Sequence, residues 1–112
     1  MKLENTQIQM RKGILEFCIL QIISRGEAYA SDMLEELTSA HMMVVEGTLY
    51  PILTRLKNAN LVNYRWAEST SGPPRKYYSL TPEGSDFLEK LRETWHELAS
   101  SATKIINHNN PA

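Results

Sequence analysis

Cysteine occurs only once in the 112 residues, at Cys18, so no internal disulfide can form. It lies inside the apolar stretch Ile14–Leu20, with no cation beside it in sequence, and reads as a small buried hydrophobe. Histidine is also scarce. His41, His96 and His108 show no metal-ligand spacing, and the five glycines form no phosphate-binding loop. No cysteine, serine or histidine stands with an evident base, so no catalytic residue, metal or cofactor is expected. Long hydrophobic runs are missing. The stretch from Ile14 to Ile23 is too short to span a bilayer and carries Glu16 and Gln21. No apolar signal core follows Met1–Asn5, so a cytoplasmic location is expected, with no membrane partner. Excess positive charge is missing too: the net charge of -1 argues against a general polycation. With no repeats and no linker, the chain is expected to form one modest domain.

What is present is a patterned sequence. A helix from about Gln9 to Ser24 is apolar on most faces and is expected to be buried, partly by a partner, with Arg25-Gly26 as its stop. A second helix is expected from about Ser31 to Ala40, with Met33, Leu34 and Leu37 as its apolar stripe. A connector with a short extended run, Met42–Val45, leads to a third helix from about Gly47 to Ala59. There Leu49, Ile52, Leu53 and Leu56 make one face. Pro51 is tolerated only in a first turn and so places the start of this helix at Gly47 or Thr48; Asn60 suits a left-handed C-cap.

Leu61–Trp66 and Lys76–Leu80 are rich in β-formers and flank a turn-rich stretch, Glu68–Pro74, which predicts a hairpin. Thr81-Pro82-Glu83 then opens a last helix with an N-cap threonine, a proline at the first helical position and an acid in the first turn; it has the length to reach about Asn107. Leu88, Leu91, Trp95, Leu98, Ala102 and Ile105 fall at alternating spacings of three and four, the seam of a helix that pairs with another. The alternative is that this stripe packs on its own core. The order helix, helix, helix, hairpin, long helix predicts a mostly α winged helix-turn-helix with a two-stranded β-wing and a long C-terminal dimerisation helix. Residues 1–80 form the DNA-binding part with its N-terminal helix, 81–107 the dimerisation helix of the same compact domain, and 108–112 a frayed tail.

Charge is unevenly placed. From Gly47 to Leu80, Arg55, Lys57, Arg65, Arg75 and Lys76 stand against Glu68 alone, a local charge of +4 that leaves -5 for the rest of the chain. A basic middle between acidic flanks suits a polyanion contacting one face.

The segments Gly47-Thr48-Leu49-Tyr50-Pro51, Arg55-Leu56, Leu61-Val62, Gly72, Arg75-Lys76-Tyr77-Tyr78, Leu80-Thr81 and Gly84, in this order and spacing, resemble the PadR family of transcriptional regulators. The resemblance covers roughly Met10 to Ile106. The short C-terminus is similar to the small single-domain subfamily that includes a lactococcal multidrug-binding repressor. In that group a tryptophan on the last helix, eleven residues after a glycine, stacks on flat ligands at the dimer interface; Gly84 and Trp95 have this spacing. The resemblance implies repression of transcription. Asn60 where the family often has glycine, Tyr29-Ala30-Ser31 at the second helix and Pro73-Pro74 in the wing depart from its pattern without disturbing the fold.

A winged helix-turn-helix lays its recognition helix in the major groove. Thr48, Tyr50, Pro51 and Thr54 would then face base edges and phosphates, while Arg55 would either grip DNA or form an internal ion pair. Arg75 and Lys76, at the base of the wing, are expected to hold phosphate or enter the minor groove, or else to be a solvated strand edge. Of Tyr77 and Tyr78 one is expected in the core, and Trp66 is expected in the core of the hairpin and not at a base. The seam would pair two copies as a homodimer on palindromic double-stranded DNA. Trp95, with Phe17 and Glu16 from the first helix, could sandwich a planar aromatic effector, with Glu16 suited to a cationic one; otherwise Trp95 is a large residue of the dimer core. The competing class is a winged helix that binds a protein instead of DNA. It predicts Arg55, Arg75 and Lys76 all paired internally.

Overall fold

A computed structural model describes residues 1–42 and 44–108. The elements are α1 (Leu3–Ile23), α2 (Ala30–Ser39), α3 (Glu46–Asn58), β1 (Val62–Ser69), β2 (Gly72–Leu80) and α4 (Pro82–Ile106). This is the expected winged-helix order. The expected extended run Met42–Val45 includes Met43, and the expected frayed tail includes 109–112; these lie outside the described residues.

The first three helices pack around one core. Leu15, Ile19, Leu20 and Ile23 of α1 meet Met33 and Leu37 of α2 and the whole stripe Leu49, Ile52, Leu53 and Leu56 of α3. Each full burial of such a side chain contributes about 1.5–3 kcal/mol. The stripe therefore fixes which way α3 faces. α1 begins at Leu3, earlier than its apolar pattern suggests, and its first two turns are largely exposed, with Leu3, Ile8 and Met10 in solvent. Cys18 sits half-buried against the core, where desolvation raises its pKa and keeps it a thiol.

The hairpin is longer than its β-rich segments suggest. β1 and β2 pair antiparallel with Val62 opposite Leu80, Tyr64 opposite Tyr78 and Trp66 opposite Lys76, then slip at a bulge between Ala67 and Ser69. The predicted turn-rich stretch is mostly strand: only Thr70-Ser71 turns, and Pro73-Pro74 extends β2. Proline is accepted there because the ladder beyond Arg75 is already interrupted and asks for no N–H. At the other end Ala28 bridges Tyr78, with N–H to O distances of 3.1 and 2.9 Å in the two directions, and ties the wing to the segment before α2.

One joint connects the wing to α4. Asn60 takes the left-handed φ of 63° that its C-cap role requires. The Thr81 hydroxyl donates to the Asn60 carbonyl at 2.7 Å and accepts from the Gly84 N–H at 2.9 Å, while the Thr81 N–H donates to the Leu61 carbonyl at 3.1 Å. From there α4 runs for 25 residues, about 38 Å at the α-helical rise. Its first half packs on the core and on α1, as far as Trp95, so the helix extends past the body.

An ion pair braces the wing. Arg65 of β1 gives two bonds to the Glu27 carboxylate, at 2.6 and 3.0 Å. Hydrogen bonding to Arg65 holds the Glu27 carboxyl below the ordinary carboxylate range. A depressed folded-state pKa stabilises above the unfolded value and is lost as pH falls through the folded one. The stability difference between the native chain and Glu27→Gln is therefore expected to be full above the ordinary carboxylate range and to shrink as pH falls through and below it, followed by chemical unfolding at each pH. A difference that stays constant across that range would remove the pair from the account of acid sensitivity.

Candidate nucleic-acid interface

With its leucine stripe buried, α3 turns Thr48, Tyr50, Pro51, Thr54 and Arg55 outward, and all five are exposed. α3 begins at Glu46 and not at Gly47 or Thr48, so Pro51 is its sixth residue, past the first turn, and leaves the Gly47 carbonyl without its i+4 N–H; Val45 caps the helix with an extended backbone. The wing stands beside this surface. A groove of about 340 Å³ runs between the start of α2, the start of α3 and the hairpin, lined by residues including Tyr29, Tyr50, Trp66, Arg75 and Lys76. The structure thus brings Tyr50 of α3 together with both wing cations in one groove.

Pairing divides the cations. Arg55 bonds to Glu16 of α1, with its terminal nitrogen 3.1 Å from the carboxylate, and Arg65 is held by Glu27. Both acids lie outside the basic segment, so the local charge of +4 is partly cancelled in the fold. Arg75 and Lys76 enter no ion pair among the described residues. Of the three pairings that a protein-binding winged helix predicts, only that of Arg55 is present.

Arg75 and Lys76 are neighbours on β2, so strand alternation directs them to opposite sides of the hairpin, although both border the groove. The Arg75 guanidinium stands 5.1 Å from the Tyr29 ring centre, and the Lys76 ammonium 4.4 Å from that of Tyr64 and 5.3 Å from that of Trp66. Such cation–π contacts orient a charge without neutralising it. Tyr78 is the core member of the tyrosine pair, where burial raises its phenol pKa. Trp66 corrects an expectation: it is 61% exposed and lines the groove instead of filling the hairpin. It shares a face with buried Val62 and half-buried Tyr64, but the strand leaves the body between them, and a two-stranded sheet has no second layer to cover its far end.

The last helix divides its seam. Leu88 is 1% exposed and belongs to the chain's own core, with Leu91 packed against it. Trp95, Leu98, Ala102 and Ile105 face outward. Trp95, 40% exposed, stacks on Phe17 with ring centres 6.4 Å apart, and Arg92 donates to Gln21 at 3.0 Å, fixing α4 against α1. Glu16, next to Phe17, is engaged by Arg55.

Among the described residues no helix is long and apolar enough to cross a membrane, and no three acidic, histidine or cysteine side chains are placed to share a metal ion. The model of the transcriptional regulator PadR-like family matches residues 19–90, from the end of α1 into α4. This chain belongs to the PadR-like family. A PadR-like transcription factor from Bacteroides fragilis is 53% identical and superposes with a TM-score of 0.75 over 90% of this chain and 98% of its own. A PadR-like transcriptional regulator from Bacillus cereus is 35% identical, with a TM-score of 0.79 over 88% of this chain and 96% of its own. A Bacillus subtilis PadR solved in complex with operator DNA shares the fold at 21% identity, with a TM-score of 0.65 over 70% of this chain and 46% of that one. This PadR-like chain is thus a winged-helix transcriptional regulator, from a family defined by regulation and not by catalysis.

Proposed function

We propose that this PadR-like regulator binds palindromic double-stranded DNA as a cytoplasmic homodimer, laying α3 in the major groove and the wing on the flanking backbone. The observation that carries this reading is the single groove shared by Tyr50 of α3 and the unpaired Arg75 and Lys76 of the wing. The operator-bound Bacillus subtilis PadR supports it through the shared fold. Thr48 and Thr54 donate to bases or phosphates, Pro51 contacts a thymine methyl, and Arg55 reaches DNA only by leaving Glu16. A test is the salt dependence of binding to a labelled operator fragment from the gene's own promoter. Each phosphate contact contributes about -0.9 to the slope of log K against log salt. A flat salt response, or no retention at low salt, would favour the protein-binding alternative.

A single recognition helix reads too few base pairs for a specific site, and the exposed half of the seam, Trp95, Leu98, Ala102 and Ile105, supplies the pairing surface. Residues 1–80 then serve as the DNA-binding part and 81–107 as the dimerisation helix. We take the regulator to be a repressor released by a planar aromatic ligand between the two copies of Trp95, with Phe17 alongside. A cationic ligand would compete with Arg55 for Glu16, and that competition couples the ligand site to α3. Such a ligand regulates only by favouring one arrangement of the two DNA-binding parts over the other. Flat cationic dyes are expected to quench the fluorescence of Trp95 saturably in a Trp66→Phe background, and Trp95→Ala is expected to abolish dye binding. Equal dye affinity with and without Trp95 would exclude the pocket.

A further inference from the structure

We propose that Trp66 is a DNA-contact residue, whose ring packs on deoxyribose where the backbone crosses from α3 to the wing. The inference rests on the DNA-binding reading above and adds an apolar contact to its charged ones. Three observations carry it. Trp66 is a large aromatic side chain left 61% exposed at the wing. It lines the same groove as Tyr50, which α3 turns outward, so ring and recognition helix form one continuous surface. The Lys76 ammonium, 5.3 Å from the Trp66 ring centre, places a cation with no ion pair among the described residues beside it. An aromatic face next to an unpaired cation is complementary to a sugar next to its phosphate.

The groove also has a polarity. Glu46 lines its α3 end and repels a phosphate there, whereas Arg75 and Lys76 attract one at the wing end. The backbone therefore crosses near the wing, over Trp66. Because a sugar contact releases no counterion, its contribution is independent of salt, unlike that of Lys76.

The test uses Trp95→Phe as the parent, so that Trp66 is the sole tryptophan, with anisotropy of labelled duplex as the independent measure of binding. DNA is expected to change Trp66 emission saturably. Trp66→Ala in that parent is expected to weaken binding about 10-fold, equally for operator and unrelated duplex, with an unchanged salt slope. Lys76→Ala is expected to lower the slope by about 1. Thermal melting of Trp66→Ala checks that the wing remains folded, and Trp66→Phe is expected to restore most of the affinity. Normal affinity and unchanged emission on a duplex that the parent binds would overturn the Trp66 contact and leave the DNA-binding reading standing. A native chain that binds no duplex would overturn both.

Discussion

Replacing Arg75 and Lys76 together by glutamate is expected to abolish specific DNA binding and leave the fold and the proposed dimer intact. Two facts make the effect large. Neither side chain is committed to an internal carboxylate among the described residues, so each is available to a phosphate. A hydrogen bond to a charged group is worth about 1.5–3 kcal/mol, and reversal adds repulsion to the loss. Affinity should therefore fall by about three orders of magnitude or more. Neither substitution removes a buried apolar group, so stability should change little. Arg65→Gln is the contrasting variant. Arg65 lies on the same hairpin but is held by two bonds to Glu27, so its loss should loosen the wing base more than it weakens DNA contact. Anisotropy titrations and sedimentation of the three proteins separate these outcomes. Unchanged affinity in the Arg75 and Lys76 double variant would remove the wing from the interface.

Most of the architecture is legible because local rules agree with the fold. The stripe Leu49, Ile52, Leu53 and Leu56 shows which side of α3 is buried and Thr81-Pro82 shows where α4 starts, whereas Pro51 places the start of α3 one or two residues late, because the helix accepts it past the first turn. Partnerships between distant residues are the illegible part. Arg55 finds Glu16 across 39 positions and Arg65 finds Glu27 across 38, and no local spacing announces either pair. The cations of the basic middle therefore look equivalent in sequence and separate only in space. Trp66 misleads for another reason. Alternation places it on the face of Val62, which is core, but periodicity does not show how far along a strand the core extends. The seam of α4 misleads in the same way: Leu88 and Ile105 follow one spacing, yet one is in the core and the other is 77% exposed.

Gly84→Ala should be among the most destabilising single-methyl additions available to this chain, although it replaces glycine by the best helix former. In an open helix the change contributes about 1 kcal/mol of stability. Here a Cβ at position 84 would lie 1.9 Å from the Leu61 carbonyl oxygen and 2.9 Å from its carbon. These are backbone atoms and cannot rotate away. The same carbonyl accepts the Thr81 N–H, and the neighbouring Asn60 carbonyl accepts the Thr81 hydroxyl, so moving the strand aside strains the N-cap of α4 as well. Loss of a threonine cap costs about 1 kcal/mol, and overpacking typically costs 1–3 kcal/mol. Together they outweigh the propensity gain by about 2 kcal/mol, or a fall in melting temperature of about 10 °C for a domain of this size. Gly13→Ala is the matched control. Gly13 is also helical, in the exposed part of α1, and a Cβ there meets nothing within 4 Å. It should raise the melting temperature by a few degrees, by about the full propensity gain. The opposite signs of the two alanines would show that Gly84 serves close approach of α4 to the start of the wing. If Gly84→Ala melted at or above the native temperature, that joint would have to be soft, and α4 would no longer be rigidly tied to the wing.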